Sequence, residues 1–440
     1  MVYILLFMLF IMIFISFFIS KFDILSPWLI SSSMYAISVI SVILNKKNWD
    51  ITLSSYTVFI IIIALLSFGI GEIFAKLIFK NQVNRFLSVP RKKIKFHSIF
   101  NLSIYICSIV ILIWYYYRIQ NIALQVGYQN GRNLLIQYAR LGILQYGISI
   151  GPLLAISTFV LRSISYIYTF VYLYNKLLCK KENWIKDLHM LIPTVIYLAQ
   201  YSLSGSRGAI IEYISYFLVL VAIFMTKSKK RKIENNRKII KYAIIGLSSF
   251  LLLFIILGNL KGWKGSDVTS LISTYAGGSI LALDNYLLSN NIVNDFFGQE
   301  SLLGINNLFH RIGIYSSESS RILEFTTIGP NITTNIYTAI RRYIQDFGVM
   351  GMLIIQFFLG MFFNMLYLII KRSKEINYLY IFYSLLFMAL VYQSIDEQFL
   401  VSFLSVTQIF TIGFSFILYR LLLHKKIQTA NFNKDQENNS

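Results

Sequence analysis

The feature that most constrains this chain is a succession of long apolar runs. A helix needs about 20 mostly apolar residues to cross the hydrocarbon core of a bilayer. We read about 11 such runs, near 2–20, 24–44, 52–79, 99–118, 143–177, 188–204, 209–226, 242–259, 347–370, 377–393 and 400–423. The run at 143–177 exceeds one straight crossing, so it is expected to include an interfacial entry segment. Composition agrees: 56% of residues are hydrophobic, 13% are charged and the mean hydropathy is +0.64. Soluble domains are roughly 45–50% apolar and about 25% charged. The expected fold is all-α and polytopic, a single transmembrane domain over residues 1–430. The polar tail 431–440 (NFNKDQENNS) reads as disordered and cytoplasmic. There is no internal repeat and no sign of a second, soluble domain. The first run lacks a basic leader and a small-residue cleavage site, so it reads as a retained span.

The net charge is +21, from 40 Lys and Arg against 19 Asp and Glu. Nucleic-acid binding would use such a balance, but the basic residues sit mostly in short loops between apolar runs. That is the positive-inside pattern of membrane proteins. Clusters occur at Lys76–Lys95, Lys180–Lys186, Lys227–Lys241, Lys371–Lys374 and His424–Lys426. With all five in the cytoplasm, every run from residue 99 onward alternates correctly and the C-terminus lies inside. Lys46 and Lys47 then fall outside with the N-terminus, against the rule. Cys107 and Cys179 fall on different runs, and the four histidines are scattered, so neither a disulfide framework nor a zinc site is expected.

This topology leaves three segments outside: 119–142, the tight turn Ser204–Gly208, and a stretch of about 85 residues at 260–345. The long stretch carries apolar residues throughout and is expected to pack as short helices. Outer loops normally lack Arg, yet these segments hold Arg132, Arg140, Arg207, Arg311, Arg321, Arg341 and Arg342. A planar guanidinium matches phosphate oxygens, so an anionic ligand is one reading; headgroup anchoring and interhelical ion pairs are the other. Gly205-Ser206-Arg207-Gly208 joins two apolar runs with almost no spacer. Its glycines allow a tight turn that opens a helix, where free N–H groups favour an anion. A plain helical hairpin with an exposed arginine has the same pattern.

Three further segments carry polar chemistry. In Asn335–Gly348, helical spacing places Thr338, Arg341 or Arg342, and Gln345 or Asp346 near one another at the membrane interface, beside Tyr337. Two adjacent arginines cannot share one helix face, so one is expected to point into a site and the other to headgroups. Tyr275-Ala-Gly277-Gly278 offers a flexible glycine pair ahead of Asp284, a carboxylate among aromatics suited to sugar hydroxyls; an amphipathic helix with Asp284 exposed fits equally. His310-Arg311 supplies a histidine that titrates near neutrality, and Asp396-Glu397 closes a short outer turn. Candidate bases are His310, Asp284, Asp346 and Glu397, and spacing does not choose among them.

GSRG at 205–208, YAGGSILALDNYL at 275–287 and TNIYTAIRRYIQDFG at 334–348 resemble the O-antigen polymerase family, the Wzy-type oligosaccharide repeat-unit polymerases. The resemblance is carried by these short motifs within a hydropathy pattern covering most of the chain. It implies a GT-C-like, metal-independent glycosyltransferase of the bacterial cytoplasmic membrane, with its site facing the periplasm or exterior. The substrates would be undecaprenyl-pyrophosphate-linked glycans, polymerised into O-antigen or capsule with release of undecaprenyl pyrophosphate. No cofactor and no nucleic acid would be involved. A chain-length-regulating membrane protein would be a partner. Catalytic roles would fall to Arg207, Arg341, Arg342, His310 and Asp284. Substrate contacts would come from Gly205, Ser206, Tyr275, Tyr337, Thr338, Asp346, Arg311, Arg132 and Glu397. Fixed cations would stabilise the departing pyrophosphate. An O-antigen ligase shares donor and architecture, although 334–348 looks more like the polymerases. A repeat-unit flippase would show repeated halves and interrupted helices, and neither is visible.

Overall fold

The computed structural model describes the chain apart from residues 47–48, 50–51, 80–91, 130–133, 180–183, 206–207, 228–235, 243, 246–247, 249–266, 290–293, 295, 317–318, 331, 374 and 428–440. Among the described residues, eight helical segments are long and apolar enough to span a membrane. They are α1 (Val2–Ile19), α2 (Pro27–Leu44), α3 (Ser55–Ile78), α4 (Ser98–Gln125), α6 (Pro152–Leu177), α8 (Gly208–Lys227), α11 (Ala339–Arg372) and the segment Val406–Ile427, which begins with α15 (Val406–Leu418). The chain is therefore a multi-pass membrane protein.

Two of the expected spans are shorter as helices, and a third is not described. The run at 188–204 becomes a 3-10 turn, Trp184–Leu191, and then α7 (Ile192–Leu203), only 12 residues long with Pro193 in its first turn. The run at 377–393 is divided into α12 (Leu379–Leu386) and α13 (Met388–Tyr392). The run at 242–259 lies almost wholly outside the described residues. Within the run 143–177, α5 (Leu135–Leu144) ends and a non-helical connector over 145–151, with Gly147 and Gly151 at φ 63° and 93°, precedes α6.

The stretch 260–345 also departs from expectation. Its first element, α9 (Asp267–Ser289), is a continuous helix of 23 residues rather than several short ones. Only α10 (Leu303–Arg311) is short, and a two-stranded antiparallel hairpin follows, β1 (Thr326–Gly329) with β2 (Ile332–Thr334). The glycine pair is not a flexible joint. A Cβ on Gly277 would stand 2.9 Å from the backbone nitrogen of Val42, so this glycine lets α9 cross α2 closely.

The described chain gathers into two compact units, each assembled from separated stretches: Met1–Val83, Thr269–Arg372 and Leu386–Ile409 in the first, the remainder in the second. In the first unit, α3 and α11 run side by side in the same direction. Ser67 Oγ donates to Leu353 O at 2.7 Å, and Asn364 Nδ2 donates to Glu72 O at 2.8 Å. Added Cβ atoms on Gly71 and Gly360 would each come within 2.0 Å of a facing carbonyl oxygen, of Phe357 and Phe68 respectively. Small residues at these crossings are how lipid-embedded helices gain van der Waals contact.

Polar groups tie one end of this unit. Asp23, in the α1–α2 turn, accepts from Leu25 N, Tyr367 Oη and Lys371 Nζ. Glu72 accepts from Ser26 Oγ, Trp28 N and Lys76 Nζ. Both lysines belong to basic clusters that the sequence assigns to one side. The 34-residue α11 is broken at Gly348 (φ 67°, ψ −179°), so residues 339–347 form a separate half-helix. Its start is anchored at the middle of α2: Ala339 N and Tyr35 Oη both donate to Gln393 O, at 2.9 and 3.0 Å.

Two predictions follow from this packing. Gly360→Ala should lower stability by about 1–3 kcal/mol through overpacking. Gly413→Ala, with open space around it, should not, as scanning fluorimetry in detergent would measure. Burial alone would raise the Asp23 carboxyl, but Lys371 and its hydrogen bonds hold it below its ordinary value. Its ionised form therefore stabilises the fold above about pH 4. Asp23→Asn should melt earlier than wild type at neutral pH, and the gap should close as pH falls through the lowered value.

Candidate functional site

The described residues place the most concentrated polar chemistry of the first unit on the half-helix 339–347. Its two arginines are among the most buried large side chains, Arg341 at 0% and Arg342 at 2% exposure. The expectation that one of them reaches lipid headgroups is therefore corrected. Glu300, Arg321 and Glu324 supply the oxygens that these buried guanidiniums require.

Arg341 is the centre. Its Nη1 donates to Glu300 Oε2 at 2.5 Å, and its Nη2 lies 2.6 and 2.7 Å from the two carboxylate oxygens of Glu324. The rings of Tyr286 and Tyr337 flank it, with centroids 4.8 and 4.6 Å from Cζ. Helical spacing extends the cluster: Gln345, one turn on, accepts from Tyr286 Oη at 2.5 Å and donates to Asn294 Oδ1 at 2.7 Å.

Arg342 and Asp346, also one turn apart, grip the backbone of Glu300 from both sides. Arg342 Nη1 donates to Glu300 O at 3.1 Å, and Asp346 Oδ1 accepts from Glu300 N at 3.1 Å. Asp346 Oδ2 also accepts from Ser301 N at 2.6 Å. Arg342 Nη2 holds Arg321 O, and its Nε lies 3.4 Å from Asp396. Burial pushes the Glu300 carboxyl up, while Arg341 and Arg342 pull it down. Burial likewise raises the Tyr286 hydroxyl to about 12, with Arg341 opposing.

The two carboxylates on Arg341 differ in access. The Glu300 side chain is 13% exposed, whereas that of Glu324 is 45% exposed. Glu324 thus presents a carboxylate side chain to the surface, bonded to the fully buried Arg341, which lies between two tyrosine rings. Such a group accepts hydroxyl protons, and the ring faces suit sugars.

This chain matches no protein-family model, no curated protein and no solved structure to which it was compared. The site therefore stands on its own geometry.

Several sequence candidates lie elsewhere. Asp284 is buried, not exposed. It accepts from Ser54 N at 3.0 Å and Ser54 Oγ at 2.5 Å, clasping the start of α3. It also lines a cavity of about 110 Å³ with Thr52, Asn285 and Thr327. Glu397 is buried, and its oxygens accept from Tyr343 Oη and from the backbone of Phe399, Leu400 and Val401. It holds the backbone at the start of the short helix α14 (Leu400–Phe403). His310 is half-buried, with Nδ1 3.0 Å from Tyr315 O in its own loop. Arg311 is exposed. Tyr275 is exposed on α9, eleven residues before Tyr286, about 16 Å along the helix. None of these touches Arg341. Thr338 is buried at the start of the half-helix. Gly205 adopts φ 68°, as a tight turn requires, and its carbonyl lies 3.3 Å from Arg140 Nη1. Ser206, Arg207 and Arg132 lie outside the described residues.

Sequence reasoning missed Glu300, Glu324, Tyr286 and Asn294. No local pattern marks Glu300 or Glu324; only an arginine that must be neutralised points to them. Arg341→Met would leave Glu300 and Glu324 without their shared cation, costing about 3 kcal/mol. Glu324→Gln, at a half-exposed position, should cost at most about 1 kcal/mol. Chemical unfolding of the detergent-solubilised protein would measure the difference, and equal losses would contradict the asymmetric site.

Proposed function

We propose that this protein polymerises undecaprenyl-pyrophosphate-linked oligosaccharide repeat units into a surface polysaccharide, O-antigen or capsule. It works as a metal-independent, GT-C-like glycosyltransferase on the outer face of a bacterial cytoplasmic membrane. The observation that carries the reading is the half-exposed Glu324 carboxylate, hydrogen-bonded by buried Arg341 between Tyr286 and Tyr337. The motif resemblance in three segments adds to it, as does the multi-pass architecture.

In this reading Glu324 takes the proton of an acceptor-sugar hydroxyl. The oxygen forms a bond to the anomeric carbon of the growing glycan, the bond from that carbon to the phosphate oxygen breaks, and undecaprenyl pyrophosphate leaves with the electron pair. General-base help of this kind is worth roughly 10²–10⁴-fold. Arg341 and Arg342 act differently from the sequence expectation. The fork of Arg341 is filled by two carboxylates, so its role is to fix Glu324 and Glu300, and Arg342 with Asp346 fixes the backbone beneath them. Tyrosine faces pack against the sugar. A chain-length-regulating membrane protein is a partner in the same scheme.

The test is polysaccharide profiling by gel in a strain lacking this gene, complemented with wild type or Glu324→Gln and with membrane levels checked by blot. Wild type should restore a ladder that the null strain replaces with single repeat units. Glu324→Gln at normal abundance should reduce it by at least about tenfold. A null strain that keeps its ladder would sink the polymerase reading. A full ladder from the variant would remove Glu324 as base.

A further inference from the structure

A carboxylate taken out of water is stable only when it is paired with a cation, coordinated to a metal, or hydrogen-bonded. Among the described residues five acids are buried: Asp23, Glu72, Asp187, Asp284 and Glu397. Asp23 pairs with Lys371, Glu72 with Lys76, and Asp187 with Lys93 and Lys176. Glu397 accepts at both oxygens, from Tyr343 Oη, Phe399 N and Leu400 N at Oε1 and from Val401 N at Oε2. Asp284 differs from all four. It is 2% exposed and pairs with no Lys or Arg among the described residues. Ser54 N and Ser54 Oγ both donate to its Oδ1, and no described donor reaches its Oδ2.

The carboxyl of Asp284 borders the cavity of about 110 Å³ described above, whose walls come from three stretches of the first unit. Thr52 lies ahead of α3, Asp284 and Asn285 lie on α9, and Thr327 and Gly329 lie on β1. A water occupies about 30 Å³ of liquid, so the space suits a small ion with a few waters and is too small for a sugar ring. Asn285 Nδ2 is spent on Thr326 Oγ1 and Thr327 O, at 3.1 and 2.8 Å, which leaves Asn285 Oδ1 without a described donor. No basic side chain lines the cavity. Carboxylate, amide, hydroxyl and carbonyl oxygens with no nitrogen or sulfur donor suit a hard cation. The charge count chooses its valence. One carboxylate balances one positive charge, whereas calcium sites gain affinity from several charged ligands.

We propose that the cavity beside Asp284 binds a monovalent metal cation, sodium or potassium, with Asp284 Oδ2 as its charged ligand and with oxygens of Thr52, Asn285, Thr327 and water around it. The ion clasps the approach to α3, helix α9 and the hairpin at one point. Glu324 lies two residues before β1, so the clasp also steadies the stretch that carries it. The ion takes no part in the glycosyl transfer proposed above, and its site does not rest on that reading.

The test is binding of radiolabelled sodium to the full chain in detergent, at constant ionic strength in choline chloride, with unlabelled sodium, potassium and calcium as competitors. Sodium should bind saturably, and whichever of sodium and potassium displaces the label at the lower concentration is the preferred ion. Calcium should displace it only at about tenfold higher concentration. Exchanging choline for the preferred ion should also raise the melting temperature by about 2 °C. Asp284→Asn keeps an acceptor for Ser54 and removes the charge, so binding should weaken by about tenfold or more. Thr52 is an exposed lining residue. Thr52→Lys brings a resident ammonium to Asp284 and should abolish both the binding and the salt-dependent melting shift, without lowering the melting temperature in choline chloride. That variant keeps the test alive where Asp284→Asn fails to fold. A wild type that neither binds sodium saturably nor melts higher in sodium or potassium than in choline overturns the site, as does unchanged binding in the variants. Calcium displacing the label at lower concentration than either monovalent ion overturns the valence. A null strain that keeps its polysaccharide ladder removes the polymerase reading and leaves this binding result untouched.

Discussion

A guanidinium cannot be left unsolvated inside a membrane protein, and much of the local structure answers that constraint. Arg341 draws Glu300 and Glu324 onto itself, Arg342 draws two backbone carbonyls and Asp396, and Arg162 draws Glu212. Each set of partners comes from a separate stretch of sequence, so satisfying one side chain fixes a loop. In the first unit Glu300, Arg321 and Glu324 are held against the half-helix by the oxygens they bring to its guanidiniums. The break at Gly348 makes the arrangement geometrically possible. It ends the half-helix before the apolar span begins and lets residues 339–347 lie against the middle of α2.

The sequence made the class of fold legible and the site only partly so. Hydropathy identified the eight long apolar segments because lipid acts on average composition over a whole turn-rich window. At α7 and at α12 and α13 a proline or a break leaves helices shorter than the apolar runs, and average composition does not register either. The i,i+4 spacing correctly joined Arg341 with Gln345 and Arg342 with Asp346, since both pairs act on the same neighbours. What spacing could not supply was the far partner. Glu300 and Glu324 lie tens of residues away, and nothing local distinguishes them from solvated loop acids. Asp284 and Glu397 show the same limit: Asp284 holds Ser54 at the start of α3 and Glu397 holds the backbone at the start of α14, partners that spacing does not reveal.

The two units, each taken alone, divide their charge in opposite ways. The first places carboxylates around its arginines and so presents acceptors for hydroxyl hydrogens. In the second, Arg118 and Arg140 donate to backbone carbonyls, and Arg162 meets the carboxylate of Glu212.

The wide sequence spacing of the contacts in the first unit bears on how the protein is made. Ser31 and Ser38 on α2 bind Gln393 and Ser394, and Asp23 binds Lys371. At roughly 5–20 residues per second of synthesis, the early helices wait tens of seconds for those partners to leave the ribosome. During that interval their serine hydroxyls and the Asp23 carboxylate are exposed to the insertion machinery and the bilayer. Biogenesis of this protein should therefore depend on intramembrane chaperoning more heavily than its overall hydrophobicity would suggest.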